Sequence, residues 1–293
     1  NNAKGCKNKS RGNDSVGIKM TFSGRNFNFE LGKKTYVMGI LNVTVDSFFD
    51  GGKYNSPEKA INHAKRMLHE GADIIDIGAH STRPGHTVLS PKEELEIIKQ
   101  YLPLLANETD AVISVDTFYP TVAKYALENG ASIINDVSGC FNVEMAELIK
   151  EHNCGWIIMH TGGGDASTVV KYENVTQDVN NFFNDMLNQC EKFGINRNQI
   201  AFDMGIGFGK SHEDSLELIK NIKDIKIKDI ALLTALSSKR VVSNVTEAEK
   251  HDLVYGTIAA NSLAIQGGTD IIRVHDVHES VLAAKMCDAI VRG

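Results

Sequence analysis

Two hydrophobic patterns alternate along most of the chain. From Tyr36 onward, short runs rich in Val, Ile and Leu are each followed by a segment whose apolar residues recur with helical spacing. The eight apolar runs cover residues 35–43, 72–79, 111–117, 132–139, 155–160, 199–207, 230–238 and 269–277. Strands that alternate with helices in this way pair in parallel and need right-handed crossovers. Eight such units predict an α/β fold, a (β/α)8 TIM barrel.

The helical segments support the same architecture. They are predicted over residues 56–71, 90–105, 119–130, 142–152, 176–194, 212–222, 246–268 and 278–293. The first two begin with Ser followed by Pro, an order that favours a helix start. Ahead of the first barrel strand, residues 18–36 alternate like an N-terminal β-hairpin with its turn at Ser23–Gly24.

The pattern also predicts the domain organisation. No linker interrupts it, so we expect residues 19–293 to form one barrel domain. An open doubly wound sheet is the main alternative, and the barrel is favoured because no GxGxxG loop follows the first strand. Residues 1–18 are polar and lack the apolar core of a secretory signal, so we expect a flexible tail.

Charge and cysteine content restrict the class of partner. The formal net charge of −6 argues against a broad nucleic-acid surface. No apolar run is long enough to cross a bilayer. The five cysteines are widely spaced and odd in number, which favours a reducing compartment, expected to be the cytoplasm. Neither nucleic acid nor a membrane is therefore an expected partner.

Polar residues stand at the end of nearly every predicted strand. They are Asn42, Asp76, Asp116, Asn135, Asp136, His160, Asp203, Lys239, Arg273 and His275. Barrel enzymes carry their chemistry at the carboxyl ends of the strands. One such residue is easily explained as a strand cap or a satisfied core group, but a whole set predicts an active site.

The last strand predicts an anion site. Arg273 and His275 are two positions apart and so share a face, while Val274 points the other way. Arg supplies a planar fork for phosphate oxygens and His adds a directed donor, at the end of the barrel where phosphates commonly bind. The alternative is that Arg273 pairs with a carboxylate such as Asp276.

A second group of polar residues suits a flat heterocycle. Asp116, Asn135 and Asp203 carry short side chains on stiff strands, and a carboxylate can accept two parallel N–H bonds from an amino-pyrimidinone edge. Lys239 is placed to donate to a ring carbonyl or ring nitrogen.

Eight motifs, in order, resemble one known family. They are MGILNVTVDSFFDGG (38–52), STRPG (81–85), SVDT (114–117), IINDVSG (133–139), MH (159–160), GIGFGK (205–210), SSKR (237–240) and RVHDV (273–277). From about Tyr36 to the C-terminus the chain resembles the dihydropteroate synthases of the pterin-binding (β/α)8 family. The resemblance implies condensation of 6-hydroxymethyl-7,8-dihydropterin pyrophosphate with p-aminobenzoate, with Mg²⁺ as cofactor and a homodimer as the assembly.

The resemblance also implies roles for individual residues. The pterin site would comprise Asp116, Asn135, Val137, Met159, Asp203 and Lys239. The pyrophosphate would be held by Asn42, Arg273 and His275, with Mg²⁺ near Asn42. The p-aminobenzoate site would be bordered by Thr82, Arg83, Pro84 and Phe208. Catalysis would be carried by Asp116, Lys239, Arg273 and His275.

Some positions depart from the family pattern. Val45, Phe49, His80, Met204 and Ser238 stand where the family has Pro, Ser, Glu, Pro and Arg, in that order. The resemblance therefore supports pterin binding more strongly than the p-aminobenzoate half. Two other functions fit the pterin residues: a pterin-dependent corrinoid methyltransferase and a non-catalytic pterin-binding homologue.

Overall fold

The computed structural model describes residues 19–43, 56–79, 89–164 and 167–293. The predicted tail of residues 1–18 lies outside this part of the chain. Within the described residues, no helix is both long and apolar enough to cross a membrane.

Eight parallel strands close into a barrel, as the alternating pattern predicted. The barrel order is β10–β3–β4–β5–β6–β7–β8–β9, so each strand pairs with its neighbours in the chain and the last pairs with the first. An antiparallel hairpin precedes them, formed by β1 (Thr21–Gly24) and β2 (Phe27–Glu30). The barrel strands are β3 (Tyr36–Asn42), β4 (Ile74–Gly78), β5 (Val112–Asp116), β6 (Ile133–Asp136), β7 (Gly155–Met159), β8 (Ile200–Asp203), β9 (Ala231–Thr234) and β10 (Ile271–Val274).

Helices connect the strands on the outside of the barrel. They are α1 (Pro57–Glu70), α2 (Pro91–Glu108), α3 (Pro120–Glu128), α4 (Val143–His152), α5 (Val175–Phe193), α6 (His212–Lys220), α7 (Ile222–Ile225), α8 (Arg240–Thr246), α9 (Leu253–Gly267) and α10 (Val277–Val291). The Ser–Pro starts act as predicted. Ser56 Oγ and Ser90 Oγ accept hydrogen bonds from the third residue of α1 and α2, and Ser90 forms a full capping box with Glu93.

Alternation along the strands divides the core into two layers. Outward-facing residues such as Ile75 and Val115 pack against the helices, whereas inward-facing residues such as Met38 and Ile157 fill the barrel. The hairpin closes the amino-terminal end, where Phe22 is fully buried in the inner cluster. The opposite end of the barrel interior is lined by polar side chains.

Several of the predicted element boundaries were wrong. The hairpin turn lies at residues 25–26 instead of Ser23–Gly24, because Gly24 still pairs with Phe27. The helix predicted over residues 246–268 begins only at Leu253, as α9; a separate short helix, α8, ends at Thr246, and Glu247 after it adopts a left-handed conformation with φ of 51°. The helical hydrophobic spacing resumes only at Leu253, after the polar residues 247–252.

The predicted strand over residues 230–238 is also shorter than expected. β9 ends at Thr234, and Lys239 precedes the first turn of α8. Lys239 is thus carried by the strand-to-helix turn and not by a strand.

Candidate active site

The carboxyl ends of the strands gather charged and amide side chains inside the barrel. Asp76, Asp116, Asn135, Asp203 and Arg273 each lie an even number of positions from an inward-facing apolar residue on their strand, so all five face the interior. In the strand register Asp116 lies opposite Asn135, and Met159 lies opposite Asp203. Sequence-distant residues therefore meet on one layer of the barrel.

Arg273 lies at the centre of this layer. Its Nε donates to Asp76 Oδ2 at 2.6 Å and its Nη2 donates to Asp116 Oδ2 at 2.9 Å. Both carboxylates are buried and the Arg273 side chain is 15 % exposed. The carboxylate pairing that the sequence left open is therefore present, with Asp76 and Asp116 as the partners. A guanidinium has five N–H groups, so donors remain for an anion.

Asp76 connects Arg273 to the amide of Asn135. Its Oδ2 also accepts from Asn135 Nδ2 at 3.2 Å, and Asp76 is completely buried. Because Nδ2 is engaged, Asn135 presents its Oδ1 as an acceptor, and neither this atom nor Asp76 Oδ1 has a partner among the described residues. The sequence analysis counted Asp76 among the polar strand ends but assigned it no role in binding or catalysis. Its place at a strand end, facing the same interior as Arg273, was the signal that could have identified it.

Asp203 and the loop after it form the next part of the site. Asp203 Oδ1 accepts from the N–H of Gly205 at 2.8 Å. Burial raises the pKa of the Asp203 carboxyl above its usual range, although Lys239 and the Gly205 N–H oppose the shift. Gly205 has φ of 65°, and a Cβ there would lie 1.9 Å from the carbonyl oxygen of His160, so this turn requires glycine.

Lys239 reaches this layer from the β9–α8 turn. Its Nζ donates to the carbonyl of Ile206 at 2.6 Å and lies 5.2 Å from the centre of the Phe208 ring. Burial lowers the pKa of Lys239 to about 8, and Asp203 opposes this effect. Lys239 also interacts electrostatically with Arg273 and Asp116. The residues expected to bind the pterin and those expected to bind the anion therefore influence one another's charges.

A second lysine, Lys210, holds the loop that carries Phe208. Its buried Nζ donates to the carbonyls of His160, Gly205 and Phe208 at 3.0, 3.1 and 3.0 Å. Burial lowers the pKa of Lys210 to about 7, while these three acceptors suit the three donors of an ammonium group. The lysine was not predicted as a site residue, and its role here is to shape the loop.

Two of the polar strand-end residues face away from the site. Asp136 accepts from Trp156 Nε1 at 3.2 Å in the outer core, and His160 Nε2 lies 2.8 Å from Asp178 of α5. Burial, followed by the charge of Lys210, lowers the pKa of His160 to about 4. Both are explained by packing between strands and helices.

Four further predicted residues lie at or directly after the carboxyl ends of their strands. Asn42 is the exposed last residue of β3, and His275 is exposed directly after β10. Met159 is buried at the end of β7, and Val137 is half-buried directly after β6. The loop residues Thr82, Arg83 and Pro84, together with His80, Val45 and Phe49, lie outside the described residues.

The charges of this layer nearly cancel. Three buried carboxylates face one guanidinium and two lysines whose pKa values are lowered. No group of three or more His, Cys, Asp or Glu side chains suited to a metal occurs in the described part of the chain. The charged set comprises Asp76, Asp116, Asp203, Lys210, Lys239 and Arg273.

Comparison with known proteins gives a consistent result. The model of the family described as "Pterin binding enzyme" matches residues 38–275. A dihydropteroate synthase of Clostridium beijerinckii is 37% identical over 266 residues, which is 90% of this chain and 97% of that protein. The crystal structure of the Clostridium difficile dihydropteroate synthase with pteroic acid is 39% identical, has a TM-score of 0.84, and covers 90% of this chain and 100% of that one. The Xanthomonas albilineans dihydropteroate synthase with 4-aminobenzoic acid is 33% identical, with a TM-score of 0.85, and covers 93% of this chain and 98% of that one.

The contacts of Asp76 generate a stability prediction. Asp76→Asn removes the charge that opposes the buried guanidinium, so we expect the free energy of unfolding to fall by about 3 kcal/mol. Urea denaturation followed by circular dichroism measures the change. The control is Glu108→Gln, which breaks the exposed Lys65–Glu108 pair and should cost less than about 0.5 kcal/mol. Equal losses in the two variants would contradict the central position of Asp76.

Proposed function

Because this chain belongs to the pterin-binding enzyme family, and within it to the dihydropteroate synthases, we propose that the polar end of its barrel is the site of the synthase reaction. The enzyme is a transferase of folate biosynthesis. It joins 6-hydroxymethyl-7,8-dihydropterin pyrophosphate to p-aminobenzoate and releases 7,8-dihydropteroate and pyrophosphate. The observation that carries the residue assignment is the convergence of Asp116, Asn135, Asp203, Lys239 and Arg273 on one layer.

In this proposal the pterin binds against the buried acceptors. Asp203 accepts from the amino-pyrimidinone edge, Lys239 donates to the ring, and Asn135 Oδ1 accepts a ring N–H. That amide oxygen is buried and has no partner among the described residues, a state that is costly unless a ligand or water satisfies it. Met159 and Val137 flank the ring faces. Asp116 lies on the same layer and faces the interior.

The chemistry then depends on charge stabilisation. The methylene–oxygen bond breaks, and the bonding electron pair leaves with the pyrophosphate, where Arg273 and His275 bind the departing oxygens. The positive charge that remains is shared between the methylene and the pterin ring, and Asp116 stabilises it. The amine of p-aminobenzoate attacks the methylene and afterwards loses a proton. Positioning and electrostatics carry this reaction without a covalent nucleophile.

In this proposal Asn42 would be the protein ligand of Mg²⁺. Mg²⁺ prefers oxygen donors, keeps several waters, and commonly binds one or two protein groups together with substrate phosphates. The rim offers the exposed Asn42 amide, and the protein charges nearly cancel, so the pyrophosphate needs a further cation. When bound, the metal supplies charge neutralisation for the leaving group.

The p-aminobenzoate site is assigned to the loop side of the barrel. Phe208 contacts the Lys239 ammonium and is held in place by Lys210, so an aromatic face lies beside the pterin residues. Thr82, Arg83 and Pro84 complete this site in the proposal.

We also propose the domain organisation and the cellular compartment. Residues 19–293 form one domain, since the eight strands build one closed barrel and the hairpin packs into its inner core. The enzyme works in the cytoplasm, because the four cysteines of the described residues are all free, as in a reducing compartment.

The proposed assembly is a homodimer through α9 and α10. These helices pack side by side, and each exposes an uncharged stripe at four-residue spacing. The stripes are Tyr255, Ala259 and Leu263 on α9, and Leu282, Met286 and Ile290 on α10. Single exposed apolar residues are ordinary, but two adjacent stripes form a patch typical of a protein interface. A second copy of the chain presents the same patch and covers it.

The activity itself is the first test. Purified protein with the pterin pyrophosphate, p-aminobenzoate and Mg²⁺ should release pyrophosphate and form 7,8-dihydropteroate. Chelation of Mg²⁺ by EDTA should lower the rate at least about tenfold. The positive and negative charges of the protein nearly cancel, so without the metal the charge of the departing pyrophosphate is not neutralised. Chromatography of the product and an enzyme-coupled pyrophosphate assay measure both. Pterin binding without pyrophosphate release would instead indicate a non-catalytic homologue.

Asp203 provides a test of the pterin site. Asp203→Asn replaces one acceptor oxygen by a donor, so pterin affinity should fall at least about 100-fold in calorimetry, since a buried partner is left unpaired. The raised pKa adds a pH effect: pterin affinity should weaken as pH falls through a value above that of an ordinary Asp. Asp185→Asn on α5 is a control outside the site. Unchanged pterin affinity would remove Asp203 from the site.

The proposed dimer has a direct test. The double variant Leu263→Lys and Met286→Glu places charges in both stripes and should convert a dimer to a monomer in sedimentation velocity. The control is Val143→Glu, which changes an equally exposed apolar residue on α4. A monomeric wild-type protein at micromolar concentration would contradict the assembly.

A further inference from the structure

A buried hydroxyl holds the imidazole of His275. Ser237 Oγ lies 3.0 Å from His275 Nδ1 and accepts a hydrogen bond from the backbone N–H of His275 at 3.1 Å. Ser237 is 5% exposed, whereas His275 is exposed at the rim. The serine therefore fixes one edge of a ring whose other edge lies at the open end of the barrel.

The direction of the proton in this contact follows from the donor and acceptor count. A serine hydroxyl has one proton and two lone pairs, and the backbone N–H of His275 already uses one lone pair. Within the described residues, His275 Nδ1 is the only acceptor within hydrogen-bond distance of this hydroxyl. The hydroxyl therefore donates to Nδ1, and the proton of the neutral ring is on Nε2.

We propose that Ser237 is a positioning residue that fixes the orientation and tautomer of His275 and makes Nε2 a hydrogen-bond donor to the pyrophosphate. This inference rests on the proposed function and adds the residue that prepares its anion site. An imidazole with the opposite tautomer would present a lone pair on Nε2, which repels an anion. The serine hydroxyl thus selects the form of His275 that can bind pyrophosphate without a charge of its own.

The turn after β9 gives Ser237 this position. The next residue, Ser238, is in the left-handed region with φ of 56°, and its N–H donates to Thr257 Oγ1 of α9 at 3.4 Å. Lys239 follows immediately and reaches the carbonyl of Ile206. A single turn, anchored on α9, therefore directs one residue toward the anion side and another toward the pterin side.

The experiment compares two substitutions of Ser237 with a control substitution of a serine outside the site. Ser237→Ala removes the donor to Nδ1, and Ser237→Thr keeps a hydroxyl. The control Ser262→Ala removes a hydroxyl that, within the described residues, donates to the carbonyl of Ile258 in its own helix. Calorimetry with Mg²⁺ and inorganic pyrophosphate, and separately with 6-hydroxymethylpterin, measures the two halves of the site. The ring-nitrogen shifts of His275 in ¹⁵N NMR, assigned by their loss in His275→Gln, report the tautomer.

The expected result is selective. Ser237→Ala should weaken pyrophosphate binding about tenfold, the worth of one oriented hydrogen bond to a charged group, and leave 6-hydroxymethylpterin binding within about twofold. Ser237→Thr should recover most of the pyrophosphate affinity, and Ser262→Ala should match the wild type. In the ligand-free wild type, the neutral ring should carry its proton on Nε2.

Three results would overturn the inference even if the wild type binds pyrophosphate. They are a proton on Nδ1 in the wild type, unchanged pyrophosphate affinity in Ser237→Ala, and equal weakening of pyrophosphate and pterin in that variant. The NMR measurement needs no ligand, so it separates this inference from the proposed function. If the wild type binds no pyrophosphate while Nε2 carries the proton, the anion site is overturned, and the role of Ser237 in it is overturned as well.

Discussion

The open end of the barrel depends on one guanidinium held between two carboxylates. Arg273 on β10 bonds to Asp76 on β4 and Asp116 on β5, so the contact spans the interior from one side to the other. Each charge alone would be costly to bury, and together they satisfy one another. The same Asp76 oxygen holds the Asn135 amide and so determines which of its atoms faces the cavity. The contacts that stabilise the buried charges at this end of the barrel thus also fix the orientation of the Asn135 amide.

The two lysines near this layer make different contacts. Lys210 uses its ammonium to gather three backbone carbonyls and thereby shapes the loop that carries Phe208. Lys239 approaches the same loop from the opposite side and lies within the field of Asp203 and Arg273. Burial lowers the pKa of Lys210 to about 7 and that of Lys239 to about 8, and three buried carboxylates already oppose the positive charges of these lysines and Arg273. In the proposed reaction, the pyrophosphate leaving group would therefore need a further cation, which is the role that the proposal gives to Mg²⁺.

The hydrophobic pattern predicted the barrel because parallel strands that alternate with helices have few other ways to bury two apolar faces. It also indicated which strand ends are polar. It did not separate Asp136 and His160, which face the helices, from Asp76, which faces the interior, because one position along a strand reverses the direction of a side chain. The carboxylates that pair with Arg273 could not be predicted either, because they lie on strands that are not its neighbours and their height relative to Arg273 depends on the pairing register of every strand between them. The break at Glu247 was missed because a left-handed non-glycine residue leaves little trace in periodicity.

Of the positions that depart from the family pattern, Met204 and Ser238 lie in the described residues, and each follows the end of a strand. The residues that line the buried layer, such as Asp116, Asn135 and Asp203, sit on short strands whose neighbours fix them on both sides. Ser238 instead lies in an exposed turn, and Met204 is buried directly after Asp203 without a polar contact of its own. Substitutions at such positions leave the pairing of strands unchanged. Asp116, Asn135 and Asp203, which the proposal assigns to the pterin, are therefore positioned by the barrel strands, whereas Met204 and Ser238 lie in the segments that follow strands.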